Sequence, residues 1–300
     1  MRDKIGQTMK TLLSFMLLAS VASHSPSDSL LLVSWNVENF LDYRSDTTGR
    51  HTRSRFYNKC NAVAKTLLLI GERFGRLPDA VALLEIGDRF VLDRLLQSTP
   101  LRKLDYGIVH YESPDRRGID CALLFRRSSL RLLRSEAKHL WDSTLSPPEL
   151  MRTRDILLAE FEGLDILVNH HPSKVGADSE RRRSIAMRRM WGIIDSLQTA
   201  GHVCVLAVGD FNDDVWGRPD AKGTIKYNGA WEKIDGYFAR GLVVRERVFD
   251  DPLLSEPDKA FGGTKPRRTF SGPRYLGGVS DHYPVILQLS GAPATASIHK

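Results

Sequence analysis

Several short apolar runs in this chain each stop at an oxygen- or imidazole-bearing side chain, and that repeated ending limits the fold more than any other feature. Leu30–Asn36 (LLLVSWN) leads to Glu38, Asp79–Leu84 (DAVALL) to Glu85, and Val203–Val208 (VCVLAV) to Gly209-Asp210-Phe211-Asn212. Leu164–Asn169 runs into His170-His171-Pro172, and Asp281-His282 precede a last run, Tyr283–Leu289. Short runs without polar alternation, bounded by turn residues, read as strands buried on both faces. Tyr106–His110, Asp120–Arg126, Leu130–Arg134, Ile156–Phe161, Trp231–Ala239 and Leu242–Val248 complete the predicted strands. Phe56, Cys60, Val63, Leu67 and Ile70 recur at helical spacing, with Gly71 expected to close that helix. A second helix is predicted from Ser179, with Ile185, Ala186, Met190, Ile193, Ile194 and Leu197 on one face. Residues 214–230 and 251–278 read as loops.

Strands outnumber helices, and polar residues gather where strands end, so a packing of sheets flanked by helices is predicted. No repeat or linker divides residues 24–290, which are expected to form one domain, followed by a tail over 291–300. Residues 1–23 stand apart. The apolar run Thr11–Ala22, preceded by Lys10 and ending among Ala19, Ser20, Ala22 and Ser23, is too short to span a bilayer. It reads as a secretory signal, which implies a secreted or periplasmic protein without stable membrane insertion.

The strand-end groups suggest a chemistry. Carboxylates gathered at one rim suit a hard divalent cation such as Mg²⁺, which takes oxygen ligands, whereas the motifs carry no thiolate for a structural zinc. In a strand Asp281 and His282 would face opposite ways, so serving one site requires a turn there, as Gly277-Gly278 and Pro284 allow. The net charge of +7 and the clustered arginines (Arg50/Arg53/Arg55, Arg116/Arg117, Arg181–Arg183, Arg267/Arg268) favour a phosphorylated or polyanionic partner. No stretch of sequence interleaves basic and aromatic residues in the way of a nucleic-acid groove. Cys60, Cys121 and Cys204 show no metal-binding spacing and are expected to be buried free thiols.

The segments SWNVEN, LLEIGD, RRGIDCALLFR, VNHHPSK, VGDFND, WEKIDGYF and GGVSDHYPV, in this order from about residue 31 to 289, resemble the endonuclease/exonuclease/phosphatase superfamily. SPDRRGID and NHHPSK resemble most a secreted bacterial branch. The resemblance implies an α/β fold, a four-layered α/β sandwich of two packed mixed β-sheets flanked by helices. It implies metal ligation by Glu38, Glu85 and Asp281, with Mg²⁺ the expected ion and Mn²⁺ or Ca²⁺ the alternatives. His170, Asp210, Asn212, Asp235 and His282 match the catalytic positions, Asp235 as the carboxylate that orients His282. Asn36, Arg117, Asp120 and His171 match substrate-contacting or supporting positions. His171 is the alternative to His170, because the family places this histidine with a one-residue ambiguity. Leu84 stands where many members have glutamine, a departure that leaves the metal ligand in place. The implied activity is phosphodiester hydrolysis by a monomer, most of all as an endonuclease on DNA or RNA. A phosphatase or lipid/inositol phosphodiesterase is the alternative, and a non-catalytic binding protein on the same fold is the alternative of another class.

Overall fold

The computed structural model describes residues 29–44, 46–176, 178–214 and 223–291. The expected export segment, 1–23, and all but the first residue of the expected tail lie outside them.

The apolar runs become strands because they are covered on both sides. In β1 (Leu30–Phe40), Leu31, Val33, Trp35 and Val37 pack toward helices while Leu32 packs into the opposite sheet. The strands that follow in chain order are β2 (Ala80–Ile86), β3 (Tyr106–His110), β4 (Asp120–Arg126), β5 (Leu132–Lys138) and β6 (Ile156–Phe161). Then come β7 (Leu164–His170), β8 (Val205–Asp210), β9 (Asp235–Arg240), β10 (Val243–Val248) and β11 (Val285–Ser290). One sheet has the six-stranded order β10-β11-β1-β2-β4-β3, the other the five-stranded order β9-β8-β7-β6-β5. Each contains one parallel pair, β1 with β2 and β7 with β8, and is otherwise antiparallel. Helices α1 (Arg53–Phe74) and α2 (Arg89–Gln97) cover the outer face of the first sheet, and α3 (Ser179–Thr199) covers the second. Leu84, Leu123, Val168, Leu206, Val208 and Leu287 fill the space between the sheets. The chain is therefore the four-layered α/β sandwich expected, and all three cysteines are buried and free.

Several local expectations change. Helix α1 runs past Gly71, which is buried against Leu77, and stops at Gly75, whose φ of 68° is the left-handed conformation that ends helices. Helix α2 was not foreseen, since nine residues are too few to display a clear apolar period; Asp88 caps it by accepting from the Val91 N–H at 3.2 Å. The expected strand Trp231–Ala239 is two pieces: Ala230–Glu232 pairs with Ile225–Tyr227, and β9 begins only at Asp235. The expected loop 251–278 contains the hairpins Ser255–Pro257/Thr264–Pro266 and Phe270–Ser271/Arg274–Tyr275. Among the described residues, no helix is long and apolar enough to cross a membrane.

Candidate active site

Strand register assembles half of the site. His170 on β7, Asp210 on β8 and Asp235 on β9 lie side by side in one row across the second sheet. One step deeper, two residues before His170 and Asp210 and two after Asp235, Val168, Val208 and Tyr237 form the parallel row in the inter-sheet core. The alternation of side chains therefore sends the three polar groups into the same gap. Gly209 makes the row possible, because at φ 146° a Cβ there would stand 1.8 Å from the Asn169 carbonyl oxygen.

The first sheet supplies its groups by breaking that alternation. Glu38 (φ 48°), Asn39 (φ 47°), Glu85 (φ 63°) and Asn212 (φ 51°) are four of the six described non-glycine residues with left-handed backbone. In regular alternation Glu85 would follow Leu83 toward the helices; instead the pairing shifts between Leu84 and Ile86, and Ile86 takes the helix-facing position. The Glu85 carboxylate is fixed by the Asn39 N–H at 2.8 Å, with Oε1 3.8 Å from His170 Nε2. Asn36, still in register, reaches across the gap and donates from Nδ2 to Asp210 Oδ2 at 3.1 Å. Backbone strain of this kind costs on the order of 1–3 kcal/mol per residue and persists where surrounding contacts enforce it.

His282 and Asp281 sit in a bend before β11, as serving one site required. The bend is pinned: Ser280 Oγ donates to the Asn36 carbonyl at 2.6 Å and accepts from the His282 N–H at 3.0 Å, and Trp35 Nε1 donates to the His282 carbonyl at 2.9 Å. His282 Nδ1 lies 2.8 Å from Asp235 Oδ2, which also accepts from Thr224 Oγ1. On the other side of the ring, Nε2 stands 4.0 Å from both Asp210 Oδ2 and Asp281 Oδ1. Burial opposes charge on His282, but Asp235, Asp210 and Asp281 outweigh it and raise its pKa well above the ordinary value. Burial and the Asp235 charge push the Asp210 carboxyl up to about 7.

Thr224 carried no sequence signal. Its Oγ–H is the second donor on the carboxylate that orients His282. Thr224→Val is expected to lower kcat about tenfold while leaving KM unchanged, the cost of one hydrogen bond to a charged group; steady-state kinetics check this.

The buried Lys59 ammonium donates to the Glu38 carbonyl and, at 2.8 Å, to Thr269 Oγ1; burial pushes its pKa down to about 8 against the charges of Glu38, Glu85 and Asp281, the three carboxylates expected to ligate metal. Glu38 accepts from the Thr269 N–H, the Phe270 N–H and Arg268 Nε, the last at 3.3 Å, and Arg268 Nη2 reaches Asp281 at 3.0 Å. Burial and the Asp281 charge raise the Glu38 pKa. Carboxylates crowded together, two of them bridged by a guanidinium, are a donor set that fits a divalent hard cation. One ligand atom each from Asp210, Asp235 and His282 also lie within 4.8 Å of one another, a spacing an ion could share. There, however, Asp235 Oδ2 is already engaged by His282 and Thr224. Lys59 was legible in principle, since it falls between Phe56 and Val63 on the apolar face of α1; Arg268 was not.

Other expected residues are placed differently. His171 points away from the cluster and packs edge-on against Phe211 at 5.1 Å; burial pushes its pKa down to about 3, and neither ring nitrogen has a hydrogen-bond partner. Its carbonyl accepts from Asn212 Nδ2 at 3.0 Å and from Arg154, while the Asn212 N–H donates to Asp210 Oδ1 at 2.9 Å. Asp120 does not reach His170 and faces His110 instead. Arg117 stays at the rim, near enough that its charge, together with burial and Arg154, depresses His170.

Beside Glu38 lie two arginine–aromatic pairs that no single stretch of sequence revealed, with the Phe270 ring buried and Tyr275 partly exposed. The Arg50 guanidinium is 4.9 Å from the Phe270 ring centroid, Arg55 is 4.8 Å from that of Tyr275, and the two rings are 5.4 Å apart. Residues of the β1–α1 segment thus meet the hairpin whose Phe270 N–H contacts Glu38 at 3.4 Å.

The fold has counterparts among known proteins. The model of the family described as "Endonuclease/Exonuclease/phosphatase family" matches residues 34–238 and 218–291. No curated protein sequence matches the chain. Among solved structures, D. rerio TDP2 complexed with a single-strand DNA product superposes with a TM-score of 0.54 at 16% identity, covering 87% of this chain and 99% of that one. The human Nocturnin catalytic domain with bound sulfate gives 0.56 at 15% identity, covering 88% and 93%. A mannosyl-6-phosphatase of Bacteroides thetaiotaomicron gives 0.56 at 15% identity, covering 87% and 99%.

Proposed function

The chain belongs to the endonuclease/exonuclease/phosphatase family and is one of its phosphoesterases; from that premise we propose that it is a divalent-metal-dependent phosphodiesterase that cuts nucleic-acid strands. The observation that carries the proposal is the buried array in which Asp235 holds His282 at 2.8 Å while Asn36 holds Asp210 at 3.1 Å. An array of this kind is suited to moving protons at a phosphorus centre, and a binding protein has no need of it.

In this reading the reaction is in-line attack of water on the phosphoester. Asp210, which ionises near neutral pH, accepts the proton of the attacking water. Asp235 fixes the His282 imidazolium so that Nε2–H donates to a phosphoryl oxygen as its charge grows. Asn36 orients Asp210, Asn212 supports it through its backbone N–H, and His170 stands at the opposite flank. Glu38, Glu85 and Asp281 would hold a divalent cation, and that ion would supply Lewis-acid neutralisation of the phosphate charge.

The diester and polymer preference rests on the Arg50 and Arg55 guanidinium groups and the partly exposed Tyr275 ring, since these match the phosphates and a base of a strand. A substrate panel of plasmid DNA, oligonucleotides, RNA, bis-p-nitrophenyl phosphate, sphingomyelin and inositol phosphates, each with and without EDTA, tests the reading. Nicking or shortening of nucleic acid that needs Mg²⁺ or Mn²⁺ is expected; turnover confined to monoesters or lipid would overturn it. The Arg50→Ala/Arg55→Ala pair is expected to raise KM for an oligonucleotide about tenfold and flatten its salt dependence by about one unit of slope per lost phosphate contact. Turnover of bis-p-nitrophenyl phosphate is expected to stay unchanged in the same variant. Export through residues 1–23 and a monomeric state belong to the same proposal, and N-terminal sequencing of exported protein together with light scattering check them.

A further inference from the structure

On the two strands next beyond Glu85, β4 and β3, the same rim of the first sheet carries a second cluster outside the proposed chemistry. β4 begins at Asp120, which pairs with Ile86 of β2, and β3 ends at His110. The connecting segment folds back so that Glu112 closes on both, with the Ser113 N–H donating to Asp120 Oδ1 at 2.9 Å. His110 Nε2 and Asp120 Oδ2 face each other at 3.3 Å with side chains 3% and 1% exposed, and neither atom has a hydrogen-bond partner. One ligand atom from each of His110, Glu112 and Asp120 lies within 4.8 Å of the other two. Among the described residues no lysine or arginine pairs with Asp120 or Glu112, in contrast to the Arg268 bridge between Glu38 and Asp281.

We infer that His110, Glu112 and Asp120 form a separate transition-metal site, for Zn²⁺ or Mn²⁺, that fastens the 111–119 segment to the sheet. One imidazole and two carboxylates suit these borderline ions better than Mg²⁺, which prefers oxygen alone. Ligand atoms about 2.0–2.1 Å from a tetrahedral ion stand about 3.4 Å apart, close to the separation of His110 Nε2 and Asp120 Oδ2. Glu112 is solvent-exposed, so the cluster opens to an arriving ion and needs only a side-chain adjustment to complete three ligands. Burial, and after it the Asp120 charge, pushes the Glu112 pKa up.

The position gives the ion a consequence. The segment it fastens carries Asp115 and Arg117, and Asp115 binds Arg154 at 3.2 Å, whose Nε donates to the His170 carbonyl at 3.1 Å. Occupancy would therefore stiffen the segment that presents Arg117 beside His170.

Co²⁺ serves as a visible probe of imidazole and carboxylate ligation, and metal analysis after dialysis against Zn²⁺ gives stoichiometry. The protein is used in the Glu85→Gln background, which weakens the other centre. Glu85→Gln protein is expected to retain one Zn²⁺ or Co²⁺ per chain, with visible Co²⁺ bands, and to melt higher when loaded. Adding Glu112→Gln, an exposed and fold-neutral change, is expected to lower Co²⁺ affinity at least tenfold, and adding His110→Asn to abolish the bands. Equal stoichiometry, affinity and spectra with and without Glu112→Gln and His110→Asn would overturn the site and leave His110–Asp120 a plain ion pair. Because the readouts are metal content and spectra, the result stands whether or not the protein cuts nucleic acid.

Discussion

His282→Ala is expected to lower kcat by about 10²–10³-fold, the range for removal of one hydrogen-bond donor to the charge that develops in the transition state, while the protein stays folded. The bend that carries His282 is held mainly by backbone and Ser280: Trp35 Nε1 donates to the residue-282 carbonyl and Ser280 Oγ accepts its N–H, and alanine preserves both. What is lost is the 2.8 Å contact to Asp235, which keeps Thr224 as a donor. The stability cost is therefore about 1–3 kcal/mol, or a few degrees in melting temperature. Asp235→Asn is expected to cost a similar factor in rate, because the lost carboxylate charge is the main one that keeps the buried His282 ring protonated. The double variant His282→Ala/Asp235→Asn is expected to be no slower than His282→Ala alone, since residues acting as one unit do not add. Single-turnover rates and thermal melts on the three variants decide the matter. Near-wild-type turnover of His282→Ala would remove His282 from the chemistry.

Gly209→Ala carries the largest expected effect on stability, about 4 kcal/mol or more. A methyl group at this position would meet the Asn169 carbonyl oxygen at 1.8 Å, and that neighbour is backbone within the β7–β8 ladder, which cannot step aside as a flexible side chain can. The φ of 146° adds strain for any residue with a Cβ. The melting temperature should fall by roughly 10 °C or more for a domain of this size. Activity should be lost even below the transition, because Asp210 is the next residue. Gly192→Ala is the control: it lies on the exposed side of α3 with nothing within 4 Å of a new Cβ, and is expected to gain about 0.5–1 kcal/mol. Calorimetry on the two variants should show opposite signs; equal melting temperatures would mean that the ladder at Gly209 tolerates a shift.

The sequence made the strands and most strand-end groups readable for a physical reason. Strands buried on both faces show continuous apolar runs, and a polar residue closing such a run must either find a partner or serve a function. Asn36, Glu85, Asp210 and His282 were visible on that ground. The phase of the side chains at the very end of a strand was not visible. His170 and His171 are adjacent in sequence, and only the pairing of His170 with Asp210 across β7 and β8 shows which imidazole enters the gap. Groups supplied by irregular segments were hidden for a different reason. Thr224 and Arg268 lie in connections without periodicity, so nothing local places them at the site, although Arg268 belongs to one of the arginine clusters. The same limit hid the Arg50/Phe270 and Arg55/Tyr275 pairs, whose partners are more than 200 residues apart in the chain. Basic and aromatic residues that alternate only in space leave no alternating signature in sequence.

The row that joins His170, Asp210 and Asp235 continues the row of Val168, Val208 and Tyr237, two residues deeper along each strand. A slip of one residue in β8 would turn Asp210 toward α3 and drive its apolar neighbours the wrong way in the same movement. The polar site and the oily interior are consequently successive rungs of one ladder, locked or lost together. Variation that leaves this ladder alone is confined to the connecting segments at the rim. Those segments, including 41–52, 111–119 and 264–277, are where a relative of this protein could acquire a different substrate without rebuilding its machinery.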